Sequence, residues 1–154
     1  MATLADSANV REGLLSVLSA GVTHLYRPEF PAPLGVAVAI IVEVSPDDGA
    51  GKYAMSVSVE RDGDTEEQNA EPSRRSFIKA EFVLPHAPTK YVTIPMALTD
   101  VPLTLSRPGL YYLIVAVHDL SEIRIPFYVL DPSGDPGPSP VVDRPDEAAP
   151  DDAI

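Results

Sequence analysis

The sequence contains no cysteine, which removes disulfides, thiolate metal sites, cysteine-ligated iron–sulfur clusters and cysteine nucleophiles together. Basic residues are scarce: 11 Lys and Arg stand against 23 Asp and Glu, a net charge of −12. Phosphate backbones and anionic lipid headgroups attract cations, so this balance argues against nucleic acid and against a membrane surface as partners. The longest apolar stretch, Val36 to Val42, is far shorter than the roughly 20 residues of a spanning helix. The opening Met-Ala-Thr-Leu-Ala-Asp has no basic region and no apolar run behind it, so no secretory signal is read here and the cytoplasm is the expected compartment. Phosphate-binding loops, dinucleotide fingerprints and the Gly-x-Ser-x-Gly nucleophile elbow are all missing.

Proline, by contrast, is abundant. Seventeen prolines argue against long helices, because each removes a backbone donor and clashes with the preceding turn. The hydrophobic fraction of 45% is still enough for a packed core, so the chain is not disordered as a whole. Its character changes at Asp131, where DPSGDPGPSPVVDRPDEAAPDDAI begins. Seven carboxylates against Arg144 give this segment −6, half of the total charge, and six prolines accompany them. Such a stretch cannot bury enough apolar area to offset its ordering entropy. Residues 1–130 are therefore expected to form one domain, and residues 131–154 a disordered acidic tail. The tail either keeps the protein soluble or docks through Val141 and Val142.

The body reads as strands. Leu34 to Val44 is β-branched and nearly continuous in apolar character, as expected of a central strand covered on both faces for part of its length. Lys52 to Glu60 alternates, with Tyr53, Met55, Val57 and Val59 on one face. Phe77 to Leu84 and Lys90 to Leu98 follow, and Pro95 marks the latter as an edge or a bulge. Leu110 to Val117 and Glu122 to Leu130 close a final hairpin. At the start, Ala2 to Asn9 and Leu14 to Ala20 make a first hairpin, turning at Arg11-Glu12-Gly13, where Gly13 suits the backbone angle of a short turn. With about eight strands, turn signals between them and no helical period, the expected fold is an all-β, two-sheet antiparallel sandwich, C2-like or immunoglobulin-like.

Three passages resemble one family. Leu4-Ala5-Asp6-Ser7-Ala8-Asn9-Val10, followed by Gly13-Leu14-Leu15-Ser16-Val17-Leu18-Ser19-Ala20-Gly21-Val22-Thr23, looks like the start of the bacterial DUF6941 group. Val36 to Glu43 resembles that group's second apolar strand. Pro108-Gly109-Leu110-Tyr111-Tyr112, running on to Ile125-Pro126-Phe127-Tyr128-Val129, resembles its closing hairpin. Ser19 and Val22 depart from the usual glycine and aromatic. The resemblance covers about residues 2 to 130 and implies a β-sandwich in a bacterial cytosolic protein, with no activity attached.

Candidate chemistry is sparse. His24, His86 and His118 are far apart, without the short-spaced pair of a zinc site. The only basic pair, Arg74-Arg75, is too small for a nucleic-acid footprint. Asp6 lies in an apolar first strand, and either partial burial with a backbone partner or protection of an edge would explain it. Loop carboxylates are the metal candidates: Asp47, Asp48, Asp62, Asp64 and Asp119 would suit Ca²⁺, which takes hard oxygen ligands, if their loops share one end of the sandwich. Ordinary turn chemistry explains the same residues without a metal. Tyr26 to Pro33, with Tyr26, Phe30, Pro31 and Pro33, is a candidate partner surface or a packed connection between sheets. Most other aromatics read as core, and of the adjacent Tyr111 and Tyr112 one must face outward.

These readings lead to a non-enzymatic module that binds a protein partner, without a cofactor or catalytic residues. Exposed sheet edges would serve that role, including in a homo-oligomer. The alternative is a C2-like domain whose loops bind Ca²⁺ or a small ligand.

Overall fold

A computed structural model describes residues 1–63, 74–84, 86, 88–117 and 121–132. The first hairpin forms where the turn chemistry places it. β1 (Ala2–Arg11) and β2 (Leu14–Ala20) join through Glu12 and Gly13, with φ of 53° and 77°. Two successive positive φ values are the mark of the type I′ turn, whose twist matches that of the flanking strands. β3 (His24–Tyr26) and β4 (Ala32–Pro33) are short. β5 (Ala37–Val44), a single 3₁₀ turn at Pro46–Asp48 and β6 (Gly51–Arg61) come next. β7 (Arg74–Leu84), β8 (Val92–Leu98), β9 (Thr104–Leu105), β10 (Gly109–Val117) and β11 (Ser121–Leu130) complete the chain. The eight long strands expected from the sequence are all present; β3, β4 and β9 are additions too short to carry a pattern.

Two sheets face each other, in the orders β2-β1-β5-β8 and β3-β11-β10-β6-β7. Among the described residues all pairs are antiparallel except β3 with β11, where Tyr128 lies opposite His24 and Leu130 opposite Tyr26 in parallel register. The antiparallel sandwich expected from the sequence is present, and its one parallel pair arises because the chain crosses from the first sheet to the second between β2 and β3. The order β1-β5-β8 against β11-β10-β6-β7 is that of an immunoglobulin-type sandwich, A-B-E against G-F-C-C′. A second hallmark agrees: Tyr111, near the start of β10, donates its hydroxyl to the Arg107 carbonyl at 2.7 Å, a tyrosine corner.

The core lies between the sheets. Leu4, Val38, Ile40, Val42 and Val44 meet Met55, Val57, Val59, Leu113, Val115, Phe127 and Val129. The Tyr111 ring stacks on Phe127 at 5.6 Å. At one end, β4 pairs with β9, and Leu34, Val101, Leu103 and Leu105 close the gap between the sheets. Tyr111 is buried while Tyr112 is half exposed beneath the Arg124 guanidinium, 4.9 Å from its ring centre.

β5 is covered on both faces over its first half. Its inner face joins the main core, and its outer Ala37 and Ala39 are buried with Ala8, against Leu15 and Ala97. The far part of the first hairpin packs on the outer face of the first sheet. Small side chains at Ala8, Ala37, Ala39 and Ala97 leave room for that approach. Asp6 is exposed, which sets aside its partial burial; it stands just past Ala5, where β1 parts from β5 and keeps only β2 beside it, as the edge-protection reading has it. Strict alternation puts Asp6 on one face with Leu4 and Ala8. In the fold, Leu4 enters the main core and Ala8 the outer cluster, because β1 leaves β5 after Ala5.

No helix among the described residues is long and apolar enough to cross a membrane.

Candidate interaction surface

The metal candidates are divided between the ends of the sandwich. Asp47 and Asp48 precede β6 and Asp62 follows it, so about 33 Å of extended strand, at roughly 3.3 Å per residue, separates them. The Asp48 carboxylate accepts the Ser45 backbone N–H at 2.6 Å, and the Ser45 hydroxyl accepts the Asp47 N–H at 3.2 Å, a reciprocal capping box. Asp64 and Asp119 lie outside the described residues, as do His118 and residues 133–154 of the tail. Among the described residues, no three His, Asp or Glu side chains cluster around a shared point. His24 stacks on Tyr128 at 5.4 Å, with Thr23 Oγ1 2.9 Å from its Nδ1, and His86 is exposed in a separate loop.

The Tyr26 to Pro33 segment is a packed connection. The Arg27 guanidinium donates to the carbonyls of Tyr26 (2.9 Å), Pro33 (3.1 Å) and Leu34, tying the loop into a ring. Gly35, at φ 65°, lets the guanidinium approach: a Cβ there would lie 2.8 Å from an Arg27 nitrogen. Phe30 packs against the main core, so of the four residues expected to form a partner surface, Tyr26, Pro31 and Pro33 remain exposed.

The outer face of the second sheet is closed by its own charges. Arg124 pairs with Glu60 at 3.0 Å, and Arg74 with Glu122 at 3.1 Å. Arg74 also donates to the buried Ser58 hydroxyl at 2.9 Å. Ile114, an outward position on β10, is fully buried beneath this neighbourhood. Arg74, half of the only basic pair, is thus engaged within the sheet. A cleft of about 190 Å³ between β5 and β10, lined by Ile40, Ile41, Val42, Glu43, Val115, Val117, Ile123 and Met1, is smaller than the ~300–1,000 Å³ of typical ligand sites.

One surface stands apart. Leu14 (71% exposed), Leu18 (65%), Val10 and Val17 present apolar side chains to solvent on the first hairpin. β2 is also a sheet edge, and proteins normally blunt edges. Three of the four outer edges of the main sheets are blunted, and the half of β1 that runs on past β5 carries Asp6 and Arg11. β3 is three residues long, and β8 carries Pro95, which removes a donor. β7 carries Lys79 and Glu81 and a bulge at Phe77, where Val57 faces Ile78 but Ser58 faces Ser76. β2, Leu-Leu-Ser-Val-Leu-Ser-Ala, has no charge and no proline, and pairs with β1 in continuous register from Leu14 to Leu18. Because Arg11 and Leu14 close a two-residue turn, they form a hydrogen-bonded pair. Alternation along the ladder then turns the main-chain groups of Leu15 and Val17 away from β1, toward the open edge. Sequence reading misses this site. A run of leucine and valine in a strand looks like core, and the one cue to the contrary is the absence of charge on a strand that the fold leaves at an edge.

Among curated proteins, none matches this sequence. Two solved chains of a β-glucosidase from Listeria innocua are similar in part. One, in complex with glucose, has 16% identity and a TM-score of 0.44 over 70% of this chain; the other, in complex with gluconolactone, has 13% and 0.45 over 84%. This chain spans only 15% and 16% of those enzymes. The family model of DUF6941, described as a family of unknown function, matches residues 1–130, the whole of the sandwich, and the chain belongs to that family.

Proposed function

We propose that this chain is a non-enzymatic, cytoplasmic interaction module that binds a protein partner by strand addition to the open edge of β2. The observation that carries the reading is the contrast among the edges: β2 combines unpaired outward main-chain groups at Leu15 and Val17 with exposed Leu14 and Leu18, while the other three edges carry blocking devices. Strand addition draws affinity from main-chain hydrogen bonds and specificity from alternate side chains, and both are on offer here. A cysteine-free chain suits a reducing compartment.

The test is affinity capture with the full chain and its Val17→Pro variant. Proline at position 17 deletes an outward donor without touching a hydrogen bond to β1. A protein retained by the parent and lost with Val17→Pro supports the reading, provided both chains melt alike. Equal retention by both refutes the edge as the docking site.

A further inference from the structure

The occupant best matched to the β2 edge is a second copy of the same strand. This deepens the proposal above and rests on β2 being a docking edge. We infer that two chains pair antiparallel through β2 about a twofold axis at Ser16, joining their first hairpins into one four-stranded ladder.

The argument is one of self-complementarity. A twofold interface is isologous, so a strand that pairs with its own copy must read compatibly in both directions. Leu14-Leu15-Ser16-Val17-Leu18 does so about Ser16. An axis there sets Leu14 opposite Leu18 of the second copy, Leu15 opposite Val17 and Ser16 opposite Ser16. Leu14 and Leu18, among the most exposed large apolar side chains of the molecule, project from the same face of β2 and cover each other across the axis.

The hydrogen-bond phase agrees independently. Leu15 and Val17 are the residues whose main-chain groups face outward, and this register makes them the hydrogen-bonded pairs, giving four interchain bonds. Ser16, whose main-chain groups face β1, falls on the axis as a non-hydrogen-bonded pair. A shift of the register sum by one residue would place an outward-bonding residue against an inward-bonding one.

Charge points the same way. The chain carries −12, so two copies repel, yet Leu14 to Thr23 holds no charged residue. In this register Arg11 and Glu12 of one copy fall opposite Gly21 and Ala20 of the other, so no like charges oppose. Four main-chain bonds between two seven-residue strands make a small contact, so the dimer belongs to the weak, reversible class.

The chain's lack of cysteine makes the experiment direct. Ser16→Cys introduces a single thiol whose symmetry mate lies across a non-hydrogen-bonded pair, about 4.5 Å between Cα atoms, within disulfide range. Leu18→Cys is the control, because in this register two Leu18 positions are separated by roughly 13 Å along the strands. Under mild oxidation, Ser16→Cys is expected to form a covalent dimer roughly tenfold faster than Leu18→Cys, and the mixture of Leu14→Cys with Leu18→Cys to cross-link where neither does alone. Sedimentation of the full native chain is expected to show a mass that rises with concentration, and Val17→Pro or Leu18→Lys to hold it at the monomer. Cross-linking of Ser16→Cys no faster than of Leu18→Cys, or a parent chain that sediments as a monomer at all concentrations, overturns the dimer. If that happens while Val17→Pro still abolishes capture of a foreign protein, the edge reading stands and only the second-copy occupant is wrong. Loss of neither sinks both.

Discussion

Replacing Tyr111 by phenylalanine isolates one bond of the fold. The ring is 4% exposed and stacks on Phe127 at 5.6 Å, so the substitution keeps the packing and removes only the hydroxyl. That hydroxyl donates at 2.7 Å to the Arg107 carbonyl, in a partly buried site at the turn leading into β10. A neutral hydrogen bond contributes about 0.5–1.5 kcal/mol net, and a polar group left in a partly desolvated place costs about 1–3 kcal/mol when fully buried. Partial burial of the carbonyl puts the expected loss at about 1–2 kcal/mol. For a sandwich of about 130 residues, 1 kcal/mol moves Tm by roughly 3–5 °C, so Tyr111→Phe should melt roughly 3–10 °C lower. Urea unfolding should show a lower midpoint with an unchanged slope, since no surface is added or removed. Tyr128→Phe is the internal control. Tyr128 is 46% exposed and stacks on the exposed His24 ring, so the same deletion should change stability by less than about 0.5 kcal/mol. Equal effects at the two positions would refute the assignment of a structural corner to Tyr111.

Two further outcomes follow from the packing and the loop geometry. Ala39→Leu forces a large side chain beneath the first hairpin, where Ala8, Ala37 and Ala39 are buried together; it should cost about 1–3 kcal/mol and raise hydrogen exchange in β1 and β2 ahead of β10, and uniform protection would argue against the alanine seam as the hairpin's support. Calcium should leave Tm unchanged relative to EDTA, since Asp47 and Asp48 sit at the opposite end of β6 from Asp62; a rise of several degrees would assign a site to carboxylates beyond the described residues, because a ligand of the folded state must stabilise it.

Strand identity is legible from local chemistry. Alternation at Tyr53, Met55, Val57 and Val59, the Glu12-Gly13 turn and the β-branched run at Ala37 to Val44 each depend on neighbours within a few residues, and the backbone has little choice there. The double coverage of β5 is readable for the same reason, since a strand with so few polar residues needs cover on both faces. The alternation through Leu4, Asp6 and Ala8 misleads because it fails where β1 parts from β5, and that parting depends on residues some thirty positions away. Docking strip and packed connection are both readable in the proline-rich Tyr26 to Pro33 segment, and the fold, with Arg27 tied to the Pro33 carbonyl and Phe30 against the core, makes it a connection. The candidate site shows the division most clearly. An uncharged Leu-Leu-Ser-Val-Leu is written into the chain, but whether such a strand is interior or edge depends on which strands lie beside it. Sheet order is set by long-range pairing and core closure, which no local pattern encodes, so only the tertiary structure leaves β2 with one side unpaired.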